Sequence, residues 1–188
     1  MARALIAALA IAAGCALGPY AAQAVTFSFA TLDDPADPTF NQLLGINDSG
    51  VIAGYFGSGA AAHPNKGYTI APPYTKFLCD NEPGSVQTQA TGINDHNQTS
   101  GFWSDSNRGD GTDNNFGFLR VKTKRFIAVN NPHVGGTPLI NQALGVNNND
   151  NVAGFFIDAN GVSPCNYPHL SLSHQWLAGY PRDRVLSC

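Results

Sequence analysis

One repeated stretch sets the architecture of this chain: Gly45-Ile46-Asn47-Asp48-Ser49-Gly50-Val51-Ile52-Ala53-Gly54-Tyr55-Phe56. It returns as Gly92-Ile93-Asn94-Asp95 with Gly101-Phe102-Trp103, and again as Gly145-Val146-Asn147-Asn148 with Gly154-Phe155-Phe156. Because glycine and asparagine suit turns and close strand packing, we predict a structural role for the positions that the copies share. These positions are Gly45, Asn47, Gly54, Gly92, Asn94, Gly101, Gly145, Asn147 and Gly154.

Two further patterns have the same period. Phe29, Phe77 and Phe126 are 48 and 49 residues apart, and each is followed six residues later by a proline. A glycine-aromatic pair, Gly67-Tyr68 or Gly117-Phe118, precedes the second and the third of these phenylalanines. A period of this length is typical of repeat architectures. It divides a β-repeat domain at residues 25–162 into three units, at about 29–76, 77–125 and 126–162.

Each unit contains short runs that are rich in aromatic and β-branched residues, as strands are. In the first unit these runs cover residues 27–32, 42–46, 51–56 and 67–70. The segment at residues 47–50 has the chemistry of a tight hairpin turn. No segment beyond the N-terminal apolar one has a helical apolar period. The sequence therefore predicts an all-β, propeller-like fold of about three four-stranded blades, which do not make a complete ring.

The order of these blocks resembles the HAF-repeat family of bacterial exported proteins. The resemblance rests on Gly-Ile-Asn-Asp-x-Gly-x-x-x-Gly-Tyr, a loop, a small-aromatic pair and a strand with Phe, Asp or Asn and Pro at its end, over about residues 26–160. It implies a β-propeller-like protein of the cell envelope or the extracellular space. The chain departs from the family at its histidine, where Lys66 and Phe116 stand, so no role of that histidine is carried over.

The first 24 residues are predicted to be a secretory signal peptide. Arg3 precedes an apolar run at residues 4–13, and Ala22-Gln23-Ala24 fits a cleavage site. A lipoprotein signal with acylation at Cys15 is the alternative. No later segment is apolar over enough residues to cross a membrane. We expect a secreted, periplasmic or cell-envelope protein without a transmembrane segment in the mature chain.

Charge and cysteine content exclude several classes of protein. Without the signal peptide the chain has 9 basic residues against 13 acidic ones and no run of Lys or Arg, so nucleic acid is not an expected partner. The mature cysteines, Cys79, Cys165 and Cys188, are too few for a disulfide scaffold, and their pairing stays open. The spacing of Cys165, His169 and His174 is weak evidence for zinc.

The aromatic pair that ends each repeated block is a candidate for ligand binding. Adjacent residues of a strand point to opposite faces of the sheet, so one ring of each pair is expected in the core. An exposed ring beside Asn and Asp side chains can stack on a sugar, and the alternative is packing against the neighbouring blade. The predicted binding residues are Trp103, Tyr55 and Phe156.

The loop at residues 105–115 is dense in the oxygen ligands that calcium prefers. Asp105, Asp110 and Asp113 are the candidate calcium ligands, and calcium is the one cofactor that the sequence suggests. The spacing is not that of an EF-hand loop, and a solvated hairpin loop is the alternative.

The repeated carboxylates do not form an acid–base pair. Asp48 and Asp95 lie in predicted turns, and the third copy has Asn148 there. We therefore expect a non-catalytic binding or structural module, with a polysaccharide or an envelope protein as its partner. The alternatives are a propeller-type polysaccharide hydrolase or lyase, and a non-functional remnant of a longer repeat protein. The second alternative depends on the divergent tail at residues 163–188, which does not continue the repeat, so that the third unit loses its outer strand. Blade edges left open in this way favour self-association.

Overall fold

The computed structural model describes residues 26–121 and 125–163. These residues form ten strands and no helix, which confirms the predicted all-β class, and they contain no helix that could cross a membrane. All ten strands belong to one compact unit, Leu32–Cys188. In the other unit, Met1–Thr31, residues 26–31 form neither helix nor strand. The predicted signal peptide and residues 164–188 lie outside the described residues.

Three antiparallel sheets contain the strands. The first has the order β1 (Asn41–Ile46), β2 (Ile52–Phe56), β3 (Lys66–Ile70) and β4 (Phe77–Cys79). The second has the order β5 (Gln87–Ile93), β6 (Thr99–Ser104), β7 (Phe116–Val121) and β8 (Arg125–Ala128). The third pairs β9 (Asn141–Val146) with β10 (Val152–Phe156). Each four-stranded sheet is a simple meander, as expected for strands joined by short connections.

The repeated phenylalanine belongs to the last strand of a sheet. Phe77 pairs with Ile70 of β3, and Phe126 pairs with Arg120 of β7. The prediction of a strand at residues 27–32 is wrong, because these residues are in no strand. In both four-stranded sheets, the strand that contains the repeated phenylalanine pairs with the third strand, which lies before it in the chain.

The predicted hairpin turn after β1 is present. The Asn47 side-chain oxygen accepts a hydrogen bond from the backbone N–H of Val51, and Gly50 has a φ of 75°. In the turns after β5 and β9 this left-handed position is taken by Asn97, with a φ of 57°, and by Asp150, with a φ of 61°. Asn and Asp tolerate that region better than other side chains, so the turn forms without glycine.

A β-bulge in the first strand of each sheet brings a carbonyl oxygen against a glycine of the second strand. A β-carbon at this glycine would lie 2.0 Å from that oxygen, so no other residue fits without displacing the strand. The glycine and carbonyl pairs are Gly54 with Gln42, Gly101 with Gln89, and Gly154 with Gln142.

The core consists of apolar side chains that lie between neighbouring sheets and on the outer face of the first sheet. The first and second sheets meet through Ala53, Ala90 and Ile93. The second and third sheets meet through Leu119, Val129, Ala143 and Val152. Ile52, Tyr68 and Ile70 form a third cluster on the opposite side of the first sheet. Burial, together with the nearby Asp34 and Asp33 carboxylates, raises the pKa of Tyr68 to about 12.

A buried ion pair also joins the first two sheets. Arg120 Nε lies 2.6 Å from Asp80 Oδ1 and donates to Thr99 Oγ1 at 3.0 Å, while Thr99 Oγ1 donates to Asp80 Oδ2 at 2.7 Å. Burial raises the pKa of the Asp80 carboxyl, and Arg120 and Thr99 oppose that shift. The positions equivalent to Asp80 and Thr99 at the next interface are Val129 and Val152. Equivalent positions therefore hold an ion pair at the first interface between sheets and apolar side chains at the second.

The repeated asparagines link each turn to the next. Asn47 Nδ2 donates to the backbone carbonyl of Asn94 at 3.0 Å, and Asn94 Nδ2 donates to the carbonyl of Asn147 at the same distance. Each asparagine also holds its own turn through its side-chain oxygen. The shared asparagines thus stabilise both the hairpins and the contacts between sheets.

The residue after each asparagine forms a second link. The backbone N–H of Asp48 donates to Asp95 Oδ1 at 2.8 Å, and the N–H of Asp95 donates to Asn148 Oδ1 at 2.9 Å. The bond from Asp48, and then a bond from Asn148 Nδ2 to Asp95 Oδ2 at 2.5 Å, lower the pKa of Asp95. Asp48 and Asp95 are therefore turn residues, as the sequence predicts.

Candidate ligand-binding cleft

A cavity of ≈ 720 Å³ opens beside the loops that follow β2 and β6. Polar side chains from the second and third sheets and from the loops after β2 and β6 line it, together with one aromatic ring and several glycines. The lining side chains include Asn65, Gln87, Gln89, Phe102, Asp113, Asn115 and Gln142.

Two glutamine–asparagine pairs of the same design form part of the wall. Gln89 Nε2 donates to Asn65 Oδ1 at 2.7 Å, and Gln142 Nε2 donates to Asn115 Oδ1 at 2.6 Å. In each pair the glutamine comes from the first strand of one sheet and the asparagine precedes the third strand of the sheet before it. The amide groups are thereby fixed in position before any ligand arrives.

The sequence analysis missed these glutamines, although a signal was present. Gln42, Gln89 and Gln142 each lie three residues before the first glycine of a repeated block. Gln42 has a different partner, since its Oε1 accepts a hydrogen bond from the Tyr55 hydroxyl at 2.9 Å, and it is not among the lining residues. Gln42 is therefore a natural control for the two cleft glutamines, because it holds the equivalent position but lies outside the cleft.

The Asp113 carboxylate holds the 105–115 loop in shape. Its oxygens accept hydrogen bonds from Ser106 Oγ at 2.5 Å, from the backbone N–H of Arg108 at 3.1 Å, and from Gln87 Nε2 at 3.1 Å. Asp113 is buried. Its lone pairs are thus engaged within the chain.

The three predicted calcium ligands are not brought together. Asp110 Oδ1 accepts two hydrogen bonds from Thr112, which lower the pKa of Asp110, and Asp105 is exposed. Within residues 26–121 and 125–163, no three His, Cys, Asp or Glu residues are grouped so that they could hold a metal ion. Asp110 and Asp113 thus use their carboxylates for hydrogen bonds within the loop.

Of the three predicted binding aromatics, Trp103 alone is partly exposed. Its ring packs on Phe116 with centroids 4.7 Å apart. Tyr55 and Phe156 are only 7% and 5% exposed, so their faces pack in the core. The aromatic side chain in the cleft lining is Phe102, the other member of the second pair, and it is itself only 8% exposed.

The electrostatic character of the cleft is nearly neutral. Asp113 is its one ionisable lining residue within the described residues, and the remaining polar groups are amides and a serine hydroxyl. The chain matches no family model, no curated protein and no solved structure. We therefore infer the chemistry of the cleft from its lining alone. A polar lining with little charge suits an uncharged polar ligand.

Proposed function

We propose that this protein is a non-catalytic binding module of the extracellular space or cell envelope, and that its cleft takes a neutral polysaccharide. The observation that carries the proposal is a wall of carboxamides that hydrogen bonds hold in place. A carboxamide can donate and accept hydrogen bonds, as sugar hydroxyls can.

Two acceptors in the wall are free to serve a ligand. Gln89 and Gln142 each use Nε2 to bind an asparagine, and Oε1 of both accepts no hydrogen bond from the described residues. Among the described residues, Asn115 Nδ2 makes one long bond, at 3.4 Å, to the Asp113 carbonyl. These groups stand beside a cavity of ≈ 720 Å³, which is large enough for a ligand of a few sugar rings.

The charge of the cleft favours a neutral ligand and a binding role. No Lys or Arg is among the described lining residues, so an anionic polymer finds no counter-charge there. Glycoside hydrolysis ordinarily needs two carboxyl groups about 5 to 10 Å apart. The lining contains one, Asp113, whose oxygens already accept hydrogen bonds from the loop.

The proposal also interprets the three sheets as blades of a propeller-like array. Supporting this view are the four-stranded meanders, the contact of each sheet with the next, and the repeated links between their turns. Such arrays present loops at the ends of a rigid scaffold, where binding residues are common.

A glycan array with neutral and anionic polysaccharides tests the function. We expect saturable binding to a neutral glycan, and at least tenfold weaker binding by Gln142→Ala, which removes the Oε1 acceptor. Gln42→Ala is the matched control, since this glutamine lies outside the cleft, and it should bind as the unchanged protein does. Selective binding of anionic glycans, or equal losses in both variants, would contradict the proposal.

A further inference from the structure

The first sheet leaves apolar side chains of its first strand uncovered. Leu43 is 42% exposed and Ile46 is 64% exposed. The equivalent side chains of the second sheet, Ala90 and Ile93, are 0% and 8% exposed because they pack against the sheet before them. The first sheet therefore has the side chains of an inter-sheet contact but, among the described residues, no preceding sheet.

The third sheet is open on the opposite face. Ala153 is exposed, whereas the equivalent Ala53 is fully buried against the next sheet. A β-carbon at Gly45 or Gly92 would lie 3.0 or 2.9 Å from the backbone of the next sheet, whereas one at Gly145 would meet nothing within 4 Å. This face is built to receive a further sheet, and the described residues do not supply one.

The hydrogen-bonding groups of the two ends are complementary as well. Asn147 Nδ2 has no acceptor among the described residues, although Asn47 and Asn94 use the same atom to reach the next turn. At the other end, no described donor reaches the side chain of Asp48, although Asp95 and Asn148 accept from the preceding turn there. One end thus has the free donor of the first repeated link, and the other end has the free acceptor of the second.

We propose that the third sheet of one copy packs on the first sheet of a second copy, head to tail, and that two copies close a ring. The contact would repeat the existing ones: Gly145 against the backbone of the second copy's β1, and Asn147 Nδ2 on the carbonyl of its Asn47. Burial of Leu43 and Ile46 favours the association. Two copies supply six sheets, and closed propellers have four to eight blades. In a closed ring, the open faces of the first and third sheets of both copies are all covered, as in closed symmetric assemblies generally.

Gly145→Val tests the proposal without disturbing the single chain. The added side chain enters open space, and this residue has no positive φ, so the variant should fold normally yet fail to dock. Sedimentation equilibrium of the purified protein should give twice the chain mass, and the variant the mass of one chain. Ile46→Asp blocks the other end and should also give single chains.

Mixing the two variants separates head-to-tail docking from other dimers. Gly145→Val keeps an intact first sheet and Ile46→Asp an intact third sheet, so the mixture should form a pair with one junction. A dimer that Gly145→Val leaves unchanged would overturn the proposal. A single-chain mass for the unchanged protein at micromolar concentration would overturn it too, since another part of the chain would then cover the two ends.

Discussion

The side-chain amide of Asn47 donates to the backbone carbonyl of Asn94, 3.0 Å away. Asn94 forms the same bond to Asn147, so each turn is tied to the next by the residue that also closes its own hairpin. The side-chain amide of Asn147 has no such acceptor in the part of the chain that the structure describes. The two roles of the repeated asparagine can therefore be separated by substitution.

Asn94→Asp keeps the oxygen that closes the turn and removes the amide that reaches the next sheet. Because a carboxylate then faces the Asn147 carbonyl and the Gln98 side-chain oxygen, we expect a loss of about 1 to 3 kcal/mol in the free energy of unfolding. The control is Asn147→Asp, with an expected change of less than about 0.5 kcal/mol. Urea unfolding should be measured in the Gly145→Val background, where docking does not contribute. Equal losses would show that the link between sheets is not stabilising.

Asp80→Val breaks the buried ion pair between the first two sheets. It leaves the Arg120 guanidinium without its carboxylate, so we expect a loss of about 3 to 5 kcal/mol in the free energy of unfolding. Asp80→Val with Arg120→Ile introduces the Val that the next interface uses and the Ile found at position 70. This double variant should recover most of the stability. A double variant as unstable as the single one would contradict the expectation that apolar side chains can replace the ion pair.

Acid should weaken the turn-to-turn link at Asp95. Its pKa is lowered in the folded state, so its contribution to stability is present above about pH 4 and is lost as the pH falls through the folded pKa. Asp95→Ala should therefore cost more stability at pH 6 than at pH 2.5, and Asn148→Ala should show part of the same trend. Because the raised pKa of Asp80 acts in the opposite direction, the difference between variant and unchanged protein is the quantity to measure. A difference that does not vary with pH would contradict this account of Asp95.

Gly101→Ala tests the close approach at the β-bulge. The new β-carbon would lie 2.0 Å from the Gln89 carbonyl oxygen and 2.7 Å from the Phe118 ring, so we expect a loss of at least about 2 kcal/mol in unfolding free energy. The control is Gly145→Ala, since a β-carbon there has no neighbour within 4 Å. In the Ile46→Asp background, where docking does not contribute, it should change stability little. Similar thermal melting of the two variants would show that the bulge tolerates a side chain.

Local chemistry made the strands and turns of the repeat predictable. The asparagines and Gly50 specify hairpins within a few residues, and the aromatic runs alternate as strands do. The grouping of strands into sheets was not predictable in the same way. Phe77 could begin its own unit or complete the preceding sheet, and only pairing with Ile70 decides between them. The error at residues 27–32 follows from that choice.

The cleft was harder to predict because its residues act through distant partners. A glutamine is compatible with any polar strand position, so Gln89 and Gln142 gave no signal beyond their regular spacing. Their role depends on asparagines 24 and 27 residues away in the chain. The hydrogen bonds of Asp113 were not predictable for a similar reason, since the sequence does not show that its carboxylate turns into its own loop.

The central claim is that the cleft binds a neutral glycan and does not cleave it. The most direct measurement follows one such glycan with the purified protein by calorimetric titration while new reducing ends are assayed in the same sample. We expect saturable binding that is weakened by Gln142→Ala and not by Gln42→Ala, with no new reducing ends. Turnover that is lost in Asp113→Asn, or in Asp48→Asn or Asp95→Asn, would contradict the claim and identify the protein as an enzyme.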